Sequence, residues 1–450
     1  MSGTGKPRVG VVSLGCSKNL VDTEVMLGHL DAGGATFVTD PGEADVLLVN
    51  TCAFIGEARE ESVRAILDAA ELKRTGKLQR LVVAGCMVQR YREELRESLP
   101  EVDAFLGLDE LHQVSTAVRS DLPLFTAKAP PAATYLYGAE TPRRLSTPPW
   151  SAYVKIAEGC DHTCAFCAIP AFRGAFRSRT PDSVVAEAEA LAGRGVREIN
   201  LIAQDSSHYG RDRGDREGLP GLLRRLDAVS DLRWIRVHYL YPNTVTQELI
   251  DTMAVLPRVV DYVDVPLQHA HPDVLSRMRR GGSVESHLRL LARFRAAMPE
   301  GALRTTLIVG FPGESEAEFE ALLSFVREAR FDHLGVFAYS HEEGTGAHAL
   351  ADDVPDEVKQ ARRARLLEAQ QDIVAERLAR QVGSTAEVLV EGAHADTEHL
   401  LVGRLSTQAP DVDGSVLLND GPALPPGSFA RVELTDVAGY DLVGKILHAA

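Results

Sequence analysis

The sequence predicts an α/β protein in three parts: an N-terminal α/β domain, a partial (βα)6 barrel and a small C-terminal β-barrel. Three observations carry this prediction. Short valine-rich runs alternate with amphipathic helical patterns along most of the chain. Residues 381–450 switch to strand-like runs separated only by turns. The six cysteines fall into two trios, each placed where predicted strands end.

The first domain is expected over 8–125. RVGVVSLG, ADVLLVNT and LQRLVVAG read as buried parallel strands with helices between them. Each run leads into a cysteine: Cys16 in LGCSKN, Cys52 in NTCAF and Cys86 in AGCMV. Open α/β sheets gather ligands beyond the carboxyl ends of their strands, so the three thiols should converge on one edge. The bland alternative is that each is a small buried hydrophobe. Three in the same position of three strands favour ligands.

PRRLSTPPWSAY, residues 142–153, reads as a linker. The second domain, expected over 146–375, repeats strand and helix. Its strands are YVKIAEG, VREINLIAQ, LRWIRVHYL, YVDVPL, LRTTLIVG and HLGVFAY. DSVVAEAEALAGRG between them reads as a helix entered through an Asp and Ser cap, and ESEAEFEALLSFVREAR as another. A complete eight-unit barrel typically takes about 250 residues, so six units suggest an incomplete one whose active face lies where the strands end. Residues 353–380 read as one or two charged helices. TAEVLVEG, LLVGRLS, SVLLND, FARVELTDV and YDLVGKIL then suggest an OB-like β-barrel over 381–450.

Composition narrows the class. The chain has 450 residues, 45% hydrophobic and 25% charged, as expected of a soluble globular protein. No run is long and apolar enough to cross a bilayer, and MSGTGKPRVG leads straight into a strand, so no membrane partner is expected. Six cysteines are too few for a disulfide scaffold, which points to the reducing cytoplasm. The net charge of −16 argues against non-specific nucleic-acid binding. Residues 381–450 alone hold ten Asp or Glu against Arg404, Arg431 and Lys445, a net of −7. Such a barrel repels phosphate and suits a basic protein partner.

The chemistry concentrates in GCDHTCAFCAIP, residues 159–170, where Cys160, Cys164 and Cys167 follow the first barrel strand. Structural zinc wants four ligands. His162 is the nearest fourth, but it stands cramped between Cys160 and Cys164. An iron–sulfur cluster prefers thiolates and tolerates one iron held otherwise, so three cysteines leave an open iron for a substrate.

CxxxCxxC after the first strand of a partial barrel resembles the signature of the radical S-adenosylmethionine enzymes. The whole chain is similar to their methylthiotransferase family, with its N-terminal three-cysteine domain, radical domain and C-terminal TRAM barrel. The resemblance implies two [4Fe–4S] clusters, one on Cys160, Cys164 and Cys167, and an auxiliary one on Cys16, Cys52 and Cys86. It implies two roles for S-adenosylmethionine, as methyl donor and as source of a 5′-deoxyadenosyl radical, and an electron donor protein as partner. GCSKNLVDTE, GCDHTCAFCAIPAFRG, LIAQDSSHYG and YSHEEGT resemble the branch that modifies the β-carbon of an aspartate in small-subunit ribosomal protein number twelve, free or in the assembled subunit. On that reading nucleic acid is not the substrate. The alternatives are the branch that modifies an adenosine in tRNA, and a non-catalytic metal-cluster binding module.

Other candidates sit on the predicted rim. Gln204 and Asp205 close the second barrel strand, and Gly310 and Gly313 lie in the turn GFPGE. These four are expected to contact S-adenosylmethionine; the alternatives are a helix cap at Asp205 and a plain strand-to-helix turn. Arg173 with Arg177 and Arg179, and Gln268 with His269 and His271 in PLQHAH, are candidates for substrate contact or else ordinary polar positions. Glu342 and Glu343 are weaker candidates. No catalytic residue is expected beyond the cluster ligands, because a radical that abstracts hydrogen needs no carboxylate pair.

Overall fold

The computed structural model describes residues 6–120, 124–125 and 132–450. The N-terminal part is a six-stranded sheet of β1 (Arg8–Ser13), β2 (Thr36–Phe37), β3 (Val46–Thr51), β4 (Arg80–Gly85), β5 (Ala104–Leu106) and β6 (Leu124–Phe125). Its order is β2-β1-β3-β4-β5-β6 and every pairing is parallel. β3 and β4 are buried along their whole length, which is why they read as unbroken apolar runs and not as alternation. Helices α1 (Ser17–Ala32), α2 (Gly56–Arg74) and α3 (Cys86–Ser98) follow β1, β3 and β4.

The predicted six βα strands all form: β7 (Ser151–Lys155), β8 (Glu198–Ile202), β9 (Trp234–Val237), β10 (Tyr262–Asp264), β11 (Ala302–Val309) and β12 (His333–Ala338). They run parallel in chain order as two three-stranded sheets. A single bridge between Ile235 and Val259 joins the two. Among the described residues no ladder pairs β12 with β7, so the barrel is open. One large apolar cluster lies between these strands and their helices, with Val154, Ile199, Leu267, Leu307, Phe319 and Phe325 buried in it.

Local signals place most boundaries. The helix Glu316–Ala329 starts with a capping box between Ser315 and Glu318. The helix Pro181–Gly193 is capped by Thr180, whose side chain accepts from the Ser183 amide; this replaces the expected Asp and Ser cap. The charged segment forms one helix, Asp356–Gln381.

Residues 142–144 are not a free tether. Arg143 is bound to Glu24 at 2.6 Å and Glu187 at 2.5 Å. The Pro142 backbone lies against Gly28 of α1 so closely that a Cβ there would stand 2.3 Å from the Pro142 carbonyl carbon.

The C-terminal strands β13 (Thr385–His394), β14 (Thr397–Leu405), β15 (Val416–Asp420), β16 (Phe429–Ala438) and β17 (Asp441–Ala449) form a closed barrel ordered β13-β14-β15-β17-β16. It docks at the amino ends of the βα strands: Trp234, Tyr262 and Ala302, each the first residue of its strand, cluster with Leu389, Ala409 and Phe429. Glu198, first residue of β8, joins Arg404 at 2.6 Å and Arg236 at 3.1 Å in full burial. A cavity of about 1090 Å³ opens at this end, lined by Arg304, His333, Arg377 and Asp413 among others. No cysteine lines it.

Candidate metal centres

β1, β3 and β4 are neighbours, and Cys16, Cys52 and Cys86 follow their carboxyl ends. Close approach there requires glycine. Gly15 has φ +89°, and a Cβ on it would lie 2.8 Å from the Cys52 Cβ. Buried polar side chains stitch the strand ends together. The Asn19 amide donates to the Leu14 carbonyl at 2.6 Å, Asn50 donates to the Thr23 hydroxyl at 2.7 Å, and Thr51 donates to the Ala84 carbonyl at 2.6 Å. Sequence reading passed over all three; polar residues beside a cysteine at the end of an apolar strand were the available signal.

The second trio lies in the loop between Ala157–Glu158 and Arg177–Ser178, two short segments that pair antiparallel. Gly159, at φ +83°, permits this closure, since a Cβ would lie 2.1 Å from the Ala175 carbonyl oxygen. The loop is braced from the rim of the barrel. Asp205 Oδ2 bonds His162 Nε2 at 2.7 Å, and the His162 ring stacks on Tyr241 at 3.7 Å. The Arg280 guanidinium lies 4.3 Å from the Tyr241 ring centroid and donates to Cys164 Sγ at 3.4 Å. His162 is thus held in place by Asp205 and Tyr241.

Arg173 connects the two trios. Its Nη2 donates to Cys86 Sγ at 3.0 Å and to Asp22 at 3.2 Å, and its Nη1 donates to Glu158 at 2.9 Å. Lys155 completes a buried quartet with Asp22 at 2.5 Å and Glu158 at 2.6 Å. Two cations face two carboxylates, so the burial of four charges is internally compensated. Burial pushes the Cys86 thiol up to about 12, against the pull of Arg173, and pushes Cys160 and Cys167 to about 12 as well. For Cys16 burial acts in the same direction, but Lys18 and Arg173 outweigh it and the thiol is lowered.

The donor set fits clusters better than single ions. Tetrahedral zinc with Zn–S near 2.3 Å would bring three sulfurs within about 4 Å of one another. Among the described residues the one group whose ligand atoms lie within 4.8 Å is His271, Asp273 and Glu318, and neither cysteine trio does so. Guanidinium donors on Cys86 and Cys164 suit thiolates that share the charge of a cluster.

Comparison with known proteins gives three family matches along the chain. Residues 8–107 match Uncharacterized protein family UPF0004, residues 154–326 the Radical SAM superfamily and residues 382–447 the TRAM domain. "Ribosomal protein uS12 methylthiotransferase RimO" of Anaeromyxobacter sp. (strain K) is 50% identical, covering 98% of this chain and 93% of that protein. The protein of the same name from Solibacter usitatus (strain Ellin6076) is 48% identical over 98% of this chain and 95% of its own. The chain belongs to the RimO methylthiotransferase family. RimO enzymes use radical S-adenosylmethionine chemistry, which an iron–sulfur centre supports. Among solved structures, the radical S-adenosylmethionine methyltransferase TsrM from Kitasatospora setae shares the fold with a TM-score of 0.53. It is 16% identical and is matched over 74% of this chain and 75% of its own.

Against this RimO-family frame the other expected residues separate. Gln204 sits at the loop carrying the second trio, with its amide donating to Glu158 at 2.6 Å, and Asp205 acts through His162. The amides of the GFPGE turn are already engaged: Gly310 and Phe311 donate to Glu314, and Gly313 donates to Asp353 at 2.7 Å. Arg173 is 2% exposed and spends its donors on the protein's own groups. Gln268 stands half-buried four residues past β10 with φ +71°, bridged to Leu307 of β11. His269 has no exposed surface; burial lowers it to about 3, so its ring is neutral. Arg177 lies against the Ala175 carbonyl and Arg179 against Glu187. Glu342 pairs with Arg59 of α2 and with Arg90 of α3, fastening the β12 loop to the N-terminal part.

Proposed function

We propose that this chain inserts a methylthio group at the β-carbon of an aspartate in small-subunit ribosomal protein uS12, in the bacterial cytoplasm. One observation carries the reading: two three-cysteine loops meet across one interface, tied by Arg173 between Cys86 and Glu158. Residues 8–125, 146–375 and 381–450 are taken as its three domains. Cys160, Cys164 and Cys167 would hold one [4Fe–4S] cluster, and Cys16, Cys52 and Cys86 the other. With an electron from a donor protein, the first would supply reductive cleavage of S-adenosylmethionine to a 5′-deoxyadenosyl radical, and the second a site for the sulfur to be transferred.

The chain's own residues do the positioning. Arg280 and Arg173 donate to cysteine sulfurs, Asp205 and Tyr241 fix His162, and Glu158 gathers Gln204, Lys155 and Arg173 into one buried group. Gln204, Asp205, Gly310 and Gly313 remain the proposed neighbours of S-adenosylmethionine at the rim. No general base is assigned, because hydrogen-atom abstraction does not need one.

The test is anaerobic reconstitution with S-adenosylmethionine, sulfide and reductant, offering uS12 and tRNA in parallel and reading both by mass spectrometry. Gain of one methylthio group on an aspartate peptide alone is the expected result. Gain on an adenosine alone would overturn the substrate assignment.

A further inference from the structure

We infer that Lys18 holds the side-chain carboxylate of the substrate aspartate, and so selects an anionic target over a neutral one. This rests on the aspartate reading given above and goes beyond it by naming the contact.

Lys18 occupies the first turn of α1, directly after the ligand loop of Cys16. It is only 8% exposed. Its Nζ lies 3.0 Å from the centroid of the Tyr239 ring, so the side chain reaches from the N-terminal part to the carboxyl rim of the βα strands. Tyr239 stands two residues past β9 with φ +61°, in the left-handed region, and its ring meets the ammonium.

An ammonium has three donors and no acceptor, and a buried one is normally paired. Among the described residues both other buried lysines obey this: Lys155 takes Asp22 and Glu158, and Lys359 takes Asp352 and Asp356. Lys18 has no hydrogen bond and no ion pair among the described residues. Its location makes that more costly still. The start of a helix carries partial positive charge, which disfavours a cation, and the first turn of α1 holds no acidic residue. The aromatic face lies against it, and its charge also bears on the nearby Cys16 sulfur. A nine-tenths-buried cation with no hydrogen bond or ion pair among the described residues, beside one cysteine trio and facing the rim that carries the other, has donors left for an incoming anion.

The aspartate carboxylate is bonded directly to the β-carbon that is modified. A cation fixed on that carboxylate would therefore fix the reacting carbon, and would leave a neutral amide or a nucleobase without an equivalent anchor. A second carboxylate, that of S-adenosylmethionine, shares the same chemistry, and the experiment separates the two sources.

The reconstituted full-length protein would be titrated by fluorescence anisotropy with a labelled uS12 peptide containing the target aspartate, and with the same peptide carrying asparagine. Binding of S-adenosylmethionine would be measured in parallel, with iron and sulfide content checking that each variant is loaded. Lys18→Met should weaken the aspartate peptide about tenfold or more and change the asparagine peptide little. Lys18→Arg, which keeps the charge, should restore most of the preference and serves as the second variant if Lys18→Met fails to load. Equal weakening of both peptides, no weakening of either, or loss confined to S-adenosylmethionine binding would overturn the assignment. If the loaded wild-type protein bound neither peptide, the aspartate reading would fall first and this inference with it.

Discussion

Arg173 shows how much can rest on one side chain. It is placed by the five-residue helix Ile169–Arg173, yet it touches α1 through Asp22, α3 through Cys86 and the second cysteine loop through Glu158. Arg173→Gln would leave Asp22 and Glu158 facing Lys155 alone, one uncompensated negative charge in a buried site. Such losses cost about 3–5 kcal/mol, so the midpoint of urea denaturation should fall clearly under anaerobic conditions. Arg173→Lys should recover little, because a point charge cannot fork to a sulfur and two carboxylates at once. The partners of Arg173 lie beyond what local sequence shows. A guanidinium near a cluster motif suggests a substrate carboxylate, and nothing local indicates that Asp22, more than a hundred residues upstream, occupies that place.

At the scale of elements, α1 is bound from several sides. Its Val21 and Val25 pack with Tyr137, Tyr153 and Ile202, and its Gly28 accepts the backbone of Pro142. The proline-rich segment that reads as a linker is thus a strap, closed by Arg143 on Glu24 and Glu187. Gly28→Ala would press a methyl group into backbone that cannot rotate away. We expect a loss of about 1–3 kcal/mol, seen as a lower thermal midpoint, with faster hydrogen exchange over residues 142–147. Composition made the strap look free, because proline and small polar residues describe loops whether or not they are anchored. Helix starts were more legible: Ser315 with Glu318 is a local signal and it holds.

For the whole molecule, the decisive feature is polarity along the βα barrel. The N-terminal part covers the carboxyl rim through Arg173 and Glu342, and the C-terminal barrel covers the amino end through Glu198. Part of the acidity of that barrel is spent in place: Glu391 pairs with Arg404, Glu387 with Arg233, and Asp413 is buried. The Glu198 contact gives a pH test. Burial alone would raise its carboxyl, but Arg404 and Arg236 hold it at about 2. Because this folded value lies below the unfolded one, its stabilisation is complete above about pH 4.3 and is lost as pH falls toward 2. Glu198→Gln should therefore lower the denaturation midpoint at neutral pH and flatten its decline in acid, while wild type declines more steeply. An unchanged acid profile would mean that the contact contributes nothing to holding the barrel in place.

By itself the sequence determined the order of strands and helices, the closed C-terminal barrel and the six thiols at strand ends. These are set by periodicity, turn residues and residue type, which act over short stretches of chain. Only the tertiary structure decided which ends face each other, that Arg173 and the strap are internal fastenings, that His269 is buried, and that Lys18 rests on Tyr239 with no ion pair among the described residues. Each of those depends on charges and backbone brought together from distant positions. Local pattern carries no record of such pairings, because the cost of a buried charge is settled only by what the rest of the fold places beside it.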